Sequence, residues 1–351
     1  MHVCVLVGDI RTLKPRHGGV YLAWAAHRRG HEVRFVSVDD LSYLDDNSVL
    51  GVTVRARAGD YPRPADYLRA LTSEEAVREE EALSRFDVVF LRFNPLLESA
   101  AHAGTPVIDL CWRLRLGGTL VINDPEGLRR AGSGMYLADL PPEVRVKTLV
   151  SRSRPRLREF LKDLDGPAVL KALSPSGPDK IFYVRRRQKA NLNQILTALT
   201  KEGYVVAQEY LPEADHGEKR VVLLGGEPIR FGDDVSIYRR VPLLRGGLGD
   251  TTVESPGTKG RRKRCGFGKA EARLCEILRP KLLNDGLYFA SVDLVGDKIL
   301  DLNVFTPSGL HSLSEIYGVD VAEIVIRDLE RRVRLRAAYR TTFDPEAANI
   351  V

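Results

Sequence analysis

The amino-acid sequence predicts a mixed fold, with an α/β first third followed by α+β parts. The first third alternates short apolar runs with segments of helical periodicity, which is typical of a mostly parallel sheet covered by helices. From residue 204 onward, glycine turns separate apolar runs that are expected to pair as antiparallel hairpins. With 351 residues, of which 44% are hydrophobic, the chain is long enough for two or three domains with substantial cores.

The N-terminal region, residues 1–122, is predicted to form an open sheet of the Rossmann type. Val3–Val7 is predicted as a buried strand, and residues 19–29 are predicted as a helix that ends at Gly30. No G-x-G-x-x-G motif follows the first strand, which counts against a dinucleotide site. Further strands are predicted at the apolar runs Val33–Val38, Val88–Leu91, Val107–Leu110 and Leu120–Ile122.

A central region, residues 123–203, is predicted to be a small α+β lid. Strands are expected at Ala168–Lys171 and Ile181–Val184, and the loop between them, which contains Ser174–Pro178, gives the outline of a hairpin flap. Helical segments are predicted at 145–165 and 191–202.

The C-terminal region, residues 204–351, is predicted to be an antiparallel α+β domain. Gly225-Gly226 is a strong hairpin signal, and a second hairpin is predicted around Gly296–Lys298. The segment 245–268 has little periodicity and is predicted to be a mobile functional loop. Helices are predicted at 269–284 and 319–337.

Composition favours a cytoplasmic protein. The four cysteines form no C-x-x-C pair, the N-terminus lacks the features of a signal peptide, and no apolar segment is long enough for a membrane span. The net charge of +6 is mild for this length. The basic runs Arg185–Lys189 and Arg261–Arg264 leave nucleic-acid binding as an alternative, but they lack interleaved aromatic residues, and solvated loops commonly carry such charge.

The second predicted hairpin carries a candidate metal site. If Gly296–Lys298 form a three-residue turn, Asp293 pairs with Asp301. Asn303 then shares the face of Asp301. A hard divalent cation removes the repulsion between the two carboxylates, and such oxygens are the ligands that Mg²⁺ takes. The plain alternative is a solvated polar face without metal. The opposite face, predicted to enter the core, consists of Val292, Leu294, Leu300, Leu302 and Val304.

Lys171 is a candidate phosphate ligand. It ends an apolar strand and is expected to project beside the flap at 174–178, where its ammonium could hold a phosphate as a point charge. The alternative is an ordinary strand-end lysine in solvent. The segments Gln208–Pro212 and Glu218–Arg220 are not specific alone, and their order along the chain is the stronger signal.

Seven short segments together resemble bacterial glutathione synthetase, an ATP-grasp ligase. The resemblance is good from about 204 to 310 and weaker over the N-terminal two thirds, where Arg92, Asn94-Pro95 and Asn123-x-Pro125 also look like family positions. The segments are Gln208-Glu-Tyr-Leu-Pro212, Gly217-Glu-Lys-Arg-Val221, Gly226-Glu-Pro228, Arg240-Val-Pro242, Gly286-Leu287, Val292-Asp-Leu-Val-Gly-Asp297 and Leu302-Asn-Val304.

The resemblance implies an ATP-grasp fold and an ATP-dependent carboxylate–amine ligase that works through an acyl phosphate. ATP is then expected between the lid and the C-terminal region, with Mg²⁺ as two ions and Mn²⁺ as an alternative metal. The implied nucleotide contacts are Gln208, Glu209, Tyr210 and Leu211 for adenine, Glu218 for ribose and Lys171 for phosphate. The implied catalytic residues are Lys171, Arg220 and Arg240, of which the two arginines contact the phosphoryl group or the substrate. The implied metal ligands are Asp293, Asp301 and Asn303.

The expected substrates are a small-molecule carboxylate and a small-molecule amine. The resemblance implies Arg92 and Arg240 as substrate contacts, while Ser308 and Gly309, at a predicted helix start, could offer N–H groups to a substrate carboxylate. His311 is interpreted as a helix-start residue and not as a base. The sequence names neither the two substrates nor the oligomeric state, so a homo-oligomer stays open.

Three departures from the family pattern affect the phosphate and substrate side. The flap lacks the Gly-Gly pair of the family, and its prolines have no N–H to bind a phosphate. Asp124 stands where a phosphate-contacting lysine is expected, and the loop Arg245–Arg264 differs from the family loop. These departures favour a changed substrate. The alternative is a nucleotide-binding homologue with little or no ligase activity.

Overall fold

The computed structural model describes residues 1–95, 104–132, 134–173, 181–184, 189–241 and 261–339. Its strands form sheets of seven, four and six strands, taken in chain order, and one two-stranded ribbon. The helices within these ranges are α1 Gly18–Arg28, α2 Pro64–Leu71, α3 Gly104–Leu116, α4 Pro125–Ala131, α5 Arg154–Asp163, α6 Lys189–Glu202, α7 Lys269–Asn284, α8 Leu310–Tyr317 and α9 Val321–Tyr339.

The strands form a first sheet that is mixed, where a mostly parallel one was predicted, and then antiparallel sheets as predicted. Those of the N-terminal sheet are β1 His2–Val7, β2 Glu32–Ser37, β3 Leu41–Tyr43, β4 Val49–Arg55, β5 Val77–Ala82, β6 Val88–Arg92 and β7 Leu120–Ile122. Those of the four-stranded sheet are β8 Thr148–Ser151, β9 Ala168–Ala172, β10 Ile181–Val184 and β11 Val205–Glu209. The remainder are β12 Glu218–Leu224, β13 Glu227–Pro228, β14 Arg230–Phe231, β15 Asp234–Val235, β16 Ile237–Val241, β17 Arg261–Lys263, β18 Phe289–Val295 and β19 Lys298–Asn303.

The N-terminal sheet is parallel in its centre, as predicted, and antiparallel at one end. Strands β2, β1, β6 and β7 are parallel neighbours, while β3, β4 and β5 pair antiparallel. The predicted strand at Val107–Leu110 is wrong, because these residues lie in α3. Val107, Cys111 and Leu114 are buried at helical spacing. A run of four apolar residues cannot by itself distinguish a buried strand from a buried helix turn.

Two apolar layers join the N-terminal sheet to the C-terminal part of the chain. Val5 of β1 packs in one layer with α1 and α9, and Leu6 on the opposite face packs in the other with α7. Asn123, directly after β7, donates to the carbonyls of Phe289 and Val304, both at 2.7 Å. The N-terminal and C-terminal sheets therefore share their cores.

The four-stranded sheet has a hydrophobic cluster of its own. Its strands run antiparallel in the order β10-β9-β11-β8, and Leu157 of α5 and Leu196 of α6 are fully buried in the cluster. The pair β9–β10 confirms the predicted strand–loop–strand unit, whereas the loop 174–180 lies outside the described residues. Strand β11 belongs to this sheet, although the sequence grouped residues from 204 onward with the C-terminal region.

The six-stranded sheet is antiparallel, with its main path in the order β17-β16-β12-β18-β19 and β13 paired to β12. The predicted turn at Gly225-Gly226 is confirmed, since both glycines have positive φ, 60° and 77°, as a two-residue hairpin turn requires. None of the helices in the described ranges is long and apolar enough to cross a membrane.

Candidate active site

In the hairpin β18–β19, two aspartates pair as predicted, but the turn and the register next to it differ from the prediction. Asp293 pairs with Asp301. The turn has two residues, since Val295 pairs with Lys298, and a bulge next to Leu294 restores the register beyond it. The predicted three-residue turn is therefore wrong, because a shorter turn plus one bulged residue gives the same pairing.

The bulge also changes which side chain enters the core. Ile299 is 1% exposed, whereas Leu300, which was predicted in the core, is only half-buried. Val292, Leu294 and Val304 are buried as predicted. The prediction assumed that side chains alternate strictly between the two faces of the strand. A bulge breaks this alternation, so Leu300 was assigned to the wrong face.

Charged side chains form a row across the middle of the six-stranded sheet. Arg220 of β12 pairs in register with Tyr238 on one side and Asp293 on the other, and Asp301 follows next to Asp293. Glu218, two residues before Arg220, pairs in register with Arg240. Because alternate residues share a face, these side chains converge on one surface.

Asp293 is the centre of an ion-pair cluster. The Nε of Arg220 donates to its Oδ1 at 2.7 Å, and the Nη2 of Arg220 donates to its Oδ2 at 2.6 Å. The Nη2 of Arg240 donates to the same Oδ2 at 2.8 Å and also to Glu218. We name this set, Glu218, Arg220, Arg240 and Asp293, the arginine cluster. It joins two cations and two anions, so its formal charges cancel.

Burial governs the electrostatics of the arginine cluster. Glu218, Arg220 and Asp293 are 8%, 6% and 2% exposed. Burial raises the pKa of Glu218, and the neighbouring charge of Asp293 raises it further against the effect of Arg240. Burial alone lowers the pKa of Arg220, but the charge and hydrogen bonds of Asp293 outweigh it and raise that pKa overall. The cluster is therefore stable only while each charge keeps its partner.

The residues beside the arginine cluster fit a divalent cation by their donor chemistry. Asp301 is exposed, and within the described ranges no ion pair or hydrogen bond holds its carboxylate. Asn303 accepts at Oδ1 from the amide of Thr306 at 3.2 Å, which leaves further acceptor capacity. In the part of the chain that is described, no group of three His, Cys, Asp or Glu side chains forms a metal cage. A hard cation here would need phosphate oxygens and waters as well.

A cavity of about 290 Å³ brings together residues of two sheets. The four-stranded sheet contributes Lys171 of β9 and Gln208 of β11, and the six-stranded sheet contributes Asp301. Thr148 and Tyr136 also line the cavity, and the sequence did not predict them. A cleft is thus present between the four-stranded and six-stranded sheets, at the position where the family resemblance implies ATP.

The backbone of the segment after Gln208 is hydrogen-bonded to residues next to strands β8 and β9 of the four-stranded sheet. The amide of Glu209 donates to the carbonyl of Lys147 at 3.0 Å, and the amide of Tyr210 donates to that of Pro167 at 2.9 Å. The Tyr210 hydroxyl donates to Asp215. Leu211 is half-buried at the end of this segment.

Of the predicted substrate residues, Arg240 belongs to the arginine cluster, and the others lie in or contact the loop at Pro307–Gly309 beside Arg220. Ser308 accepts from Nη1 of Arg220, and Gly309 is the N-cap of α8 with φ 130°. A Cβ on Gly309 would lie 3.1 Å from Tyr238 and would require an unfavourable φ, so a side chain there would be crowded and strained. Arg92 ends β6 and donates from Nη2 to the carbonyl of Pro307 at 2.9 Å. His311 lies in the first turn of α8, as predicted.

Some predicted positions do not join this site. Asp124 caps α4 by accepting from the amides of Glu126 and Gly127, and it pairs with Arg115 at 2.7 Å. Its role in the structure is therefore that of a helix cap, which the sequence Asp-Pro before a helix signals. The flap Ser174–Pro178, the run 185–188 and residues 245–260 of the substrate loop lie outside the described residues.

The sequence and the fold identify the family of the chain. The model of the prokaryotic glutathione synthetase N-terminal domain matches residues 1–129, and that of the ATP-grasp domain of the same family matches residues 134–318. The chain belongs to the prokaryotic glutathione synthetase family. It is 33% identical to a glutathione synthetase from Gloeobacter violaceus over 93% of this chain and 95% of that protein. The identity to the enzyme from Synechococcus elongatus is 31%, over 95% and 99%.

Solved structures show the same fold. A D-cycloserine synthetase superposes with a TM-score of 0.65 at 19% identity, over 94% of this chain and 99% of that one. An ATP-grasp ligase in complex with a minimal precursor gives a TM-score of 0.59 at 15% identity, over 93% and 98%. The predicted family and ATP-grasp fold are confirmed. This member of the glutathione synthetase family is an ATP-dependent carbon–nitrogen ligase that forms an amide bond and uses ATP with a divalent metal.

Proposed function

We propose that this ligase activates a small-molecule carboxylate with ATP as an acyl phosphate, which the amine of a second small molecule then attacks. The observation that carries this proposal is the cavity of about 290 Å³ in which Lys171 and Gln208 face Asp301. A cation and a carboxylate on facing sheets suit a phosphate chain with its metal, since catalysis of phosphoryl transfer consists mainly of positioning and charge neutralisation.

The four-stranded sheet would hold the nucleotide. Lys171 would contact the phosphates, and residues Gln208–Leu211 would line the adenine. Because the amides of Glu209 and Tyr210 already donate to the carbonyls of Lys147 and Pro167, and the carbonyl of Leu211 accepts from the amide of Ala214, the amide of Leu211 is left to read the base. Glu218 would bind the ribose hydroxyls with the acceptor capacity that its contact with Arg240 leaves.

The metal would lie between the phosphates and the hairpin β18–β19. We propose Mg²⁺, as two ions, with Asp293, Asp301 and Asn303 as the protein ligands and Mn²⁺ as a substitute. When bound, the metal would supply positive charge that neutralises negative charge developing on the phosphates. Asp293 also orients Arg220 and Arg240 toward the same surface, so the arginines would meet the transferring phosphoryl group beside the metal.

The substrate carboxylate would lie between Arg220 and the loop that contains Ser308 and Gly309. Arg92 donates to the carbonyl of Pro307 in this loop, which supports it as a further contact of the same substrate. The relatives are named glutathione synthetases. The family resemblance implies γ-glutamylcysteine and glycine as the two substrates. Because the loop Arg245–Arg264 departs from the family pattern, we propose an amino acid or small peptide pair other than these, used in the cytoplasm.

The experiment that tests this function is ADP release by the purified protein across a panel of carboxylate and amine pairs. The proposal expects ADP release that requires both substrates, and faster turnover with another pair than with γ-glutamylcysteine and glycine. Turnover as fast with γ-glutamylcysteine and glycine as with any other pair would refute the changed substrate and leave the ligase chemistry intact. No ADP release above background with any pair would refute the catalytic proposal.

A further inference from the structure

Asn123 is a buried polar side chain to which the proposed reaction gives no role. It directly follows β7 of the N-terminal sheet and is 3% exposed. Its Nδ2 donates to the carbonyls of Phe289 and Val304, both at 2.7 Å. Its Oδ1 accepts from the amide of Phe289, also at 2.7 Å. The side-chain amide of Asn123 therefore makes three buried hydrogen bonds to the backbone of the C-terminal part of the chain.

The two residues that Asn123 holds flank the open end of the hairpin β18–β19. Phe289 is the first residue of β18, and Val304 directly follows Asn303, the last residue of β19. The last backbone pair at this end joins Ser291 to Asn303. The two-residue turn closes the other end of the hairpin. Asn123 thus connects the two strands beyond the point where their own pairing stops.

The chemistry of the amide suits this connection. An asparagine side chain carries the same kinds of donor and acceptor as a backbone peptide, so it can replace a missing strand neighbour. Phe289 and Val304 are 1% and 2% exposed, and a buried carbonyl that loses its partner is costly. The side chain of Asn123 therefore fixes the spacing of the two strand ends, and an apolar residue in its place would release them.

The strand end at Val304 carries a proposed metal ligand, Asn303. The side chain of Asn303 bonds to both backbone groups of Thr306, since its Oδ1 accepts from the amide and its Nδ2 donates to the carbonyl, each at 3.2 Å. Asn303 therefore belongs to a short segment, residues 303–306, that Asn123 fastens at Val304. Asp293 differs from Asn303 in this respect, because the arginine cluster holds its carboxylate directly.

We propose that Asn123 is a positioning residue for the metal site, because it holds the backbone segment that carries Asn303. This inference rests on the proposed function, which assigns Asn303 to Mg²⁺. It gives the N-terminal sheet a part in metal binding, since Asn123 directly follows β7. Groups that orient a metal ligand without touching the metal typically contribute tenfold to a hundredfold in metal affinity.

A buried serine with a similar structural task provides a matched control. Ser236 is 0% exposed, and its Oγ donates to the carbonyl of Val222 at 2.6 Å and accepts from the amide of Ile229 at 2.9 Å. Like Asn123, it joins backbone groups of two buried segments. Neither Val222 nor Ile229 is next to a proposed metal ligand in the chain. Ser236→Ala should therefore lower stability without changing metal binding.

The test is a calorimetric titration with the ATP analogue AMPPNP at a series of Mg²⁺ concentrations and in EDTA. No carboxylate or amine substrate is present, so the measurement does not depend on turnover. We expect Asn123→Ala to need roughly tenfold to a hundredfold more Mg²⁺ than the wild type for half of the full gain in AMPPNP affinity. The affinity in EDTA should stay unchanged, because the contacts of the four-stranded sheet to the nucleotide remain.

Two further variants separate positioning from stability. Asn123→Ser keeps a hydroxyl that can donate to one of the two carbonyls, so it should show a smaller shift and serves as the test if Asn123→Ala does not fold. Ser236→Ala should unfold at a lower temperature than the wild type, as the Asn123 variants should, but keep the Mg²⁺ requirement of the wild type. Thermal unfolding without ligand measures the stability of each variant.

Three results would overturn the role of Asn123. The first is a Mg²⁺ requirement in the Asn123 variants equal to that of the wild type, which would leave the proposed reaction untouched. The second is an equal shift in Ser236→Ala, since the shift would then follow from lower stability alone. The third is a wild type that binds AMPPNP equally well with Mg²⁺ and in EDTA, which would remove the proposed metal site as well. Failure of the ligase proposal is recognised separately, by the absence of ADP release with any substrate pair.

Discussion

The four-stranded and six-stranded sheets, which border the cavity of about 290 Å³, hold their charged side chains in opposite ways. In the six-stranded sheet, Arg220, Arg240, Glu218 and Asp293 are buried or nearly so and paired with one another. In the four-stranded sheet, Lys171 is half-buried, and within the described residues its ammonium has no ion pair. Asp301, at the edge of the six-stranded sheet, is exposed. Like Lys171, it has no ion pair within the described residues.

This difference separates charges that are already paired within the protein from charges that are free to meet a ligand. A group already bonded to protein must give up or share those bonds before it contacts a phosphate, whereas Lys171 and Asp301 need not. Substitutions in the arginine cluster should therefore change stability as well as activity, whereas substitutions at Lys171 and Asp301 should change nucleotide use and leave stability nearly unchanged. The predictions below test this division.

The largest effect is expected for Asp301→Ala. Loss of a metal ligand should reduce turnover by about a thousandfold or more, because the charge on the phosphates is no longer neutralised. Since Asp301 is exposed and unpaired in the described structure, the free energy of unfolding should stay within about 0.5 kcal/mol of the wild type. Asp297→Ala, at the exposed turn of the same hairpin, is the control and should retain full ADP release. Undiminished turnover in Asp301→Ala would remove the residue from the site.

Asp293→Asn should differ from Asp301→Ala by destabilising the protein. The substitution leaves Arg220 and Arg240 without the carboxylate that holds them, at a cost of about 3–5 kcal/mol for a broken buried pair. Urea unfolding of this variant beside Asp301→Ala measures the difference. Equal stability of the two variants would contradict the prediction that the buried Asp293 stabilises the fold and the exposed Asp301 does not.

Lys171→Ala should weaken ATP binding by about tenfold to a hundredfold and leave AMP binding unchanged, because only charge-assisted contacts to the outer phosphates are lost. Calorimetry with both nucleotides measures the effect, and Lys162→Ala on α5 is a control for loss of a surface cation. Equal ATP affinity in Lys171→Ala and the wild type would make this lysine a solvated strand end.

A smaller effect of pH is expected far from the cavity. Hydrogen bonds from Arg29 hold the pKa of Glu330 at about 2 despite partial burial, and His31 contributes to the same shift. A carboxyl group with a lowered pKa stabilises the fold above its unfolded value near 4.5, and this contribution disappears as the pH falls toward 2. Glu330→Gln should cost roughly 0.5–1 kcal/mol at pH 7 and flatten the loss of stability between pH 5 and 2. An acid profile identical to that of the wild type would contradict this assignment.

The sequence predicted much of the fold because local patterns decide it. Helix α7 and the turn at Gly225-Gly226 stand where periodicity and glycine placed them. Helix α3 was missed at Val107–Leu110, since a short apolar run fits two structures until its neighbours are known. The bulge in β19 was missed because it depends on the twist and packing of the sheet.

The candidate site was predictable in its residues and not in its contacts. Asp293 and Asp301 face each other as the hairpin pattern required. That Arg220 and Arg240 both hold Asp293 follows from the order β16-β12-β18, which no local pattern specifies. Arg92 has no ionic partner within the described residues, and its surroundings depend equally on long-range packing against α1 and the loop at Pro307. Its signal in the sequence was only an arginine at the end of an apolar strand.

The most direct test of the account is a double-mutant cycle on ATP affinity in the presence of Mg²⁺, with Lys171→Ala, Asp301→Ala and the double variant. If both residues act on one phosphate chain in the same cavity, their effects are coupled. We predict an interaction energy on the order of 1–2 kcal/mol, measured by calorimetry. Effects that add within about 0.3–0.5 kcal/mol would show that the two sheets do not share one nucleotide, which would contradict the account.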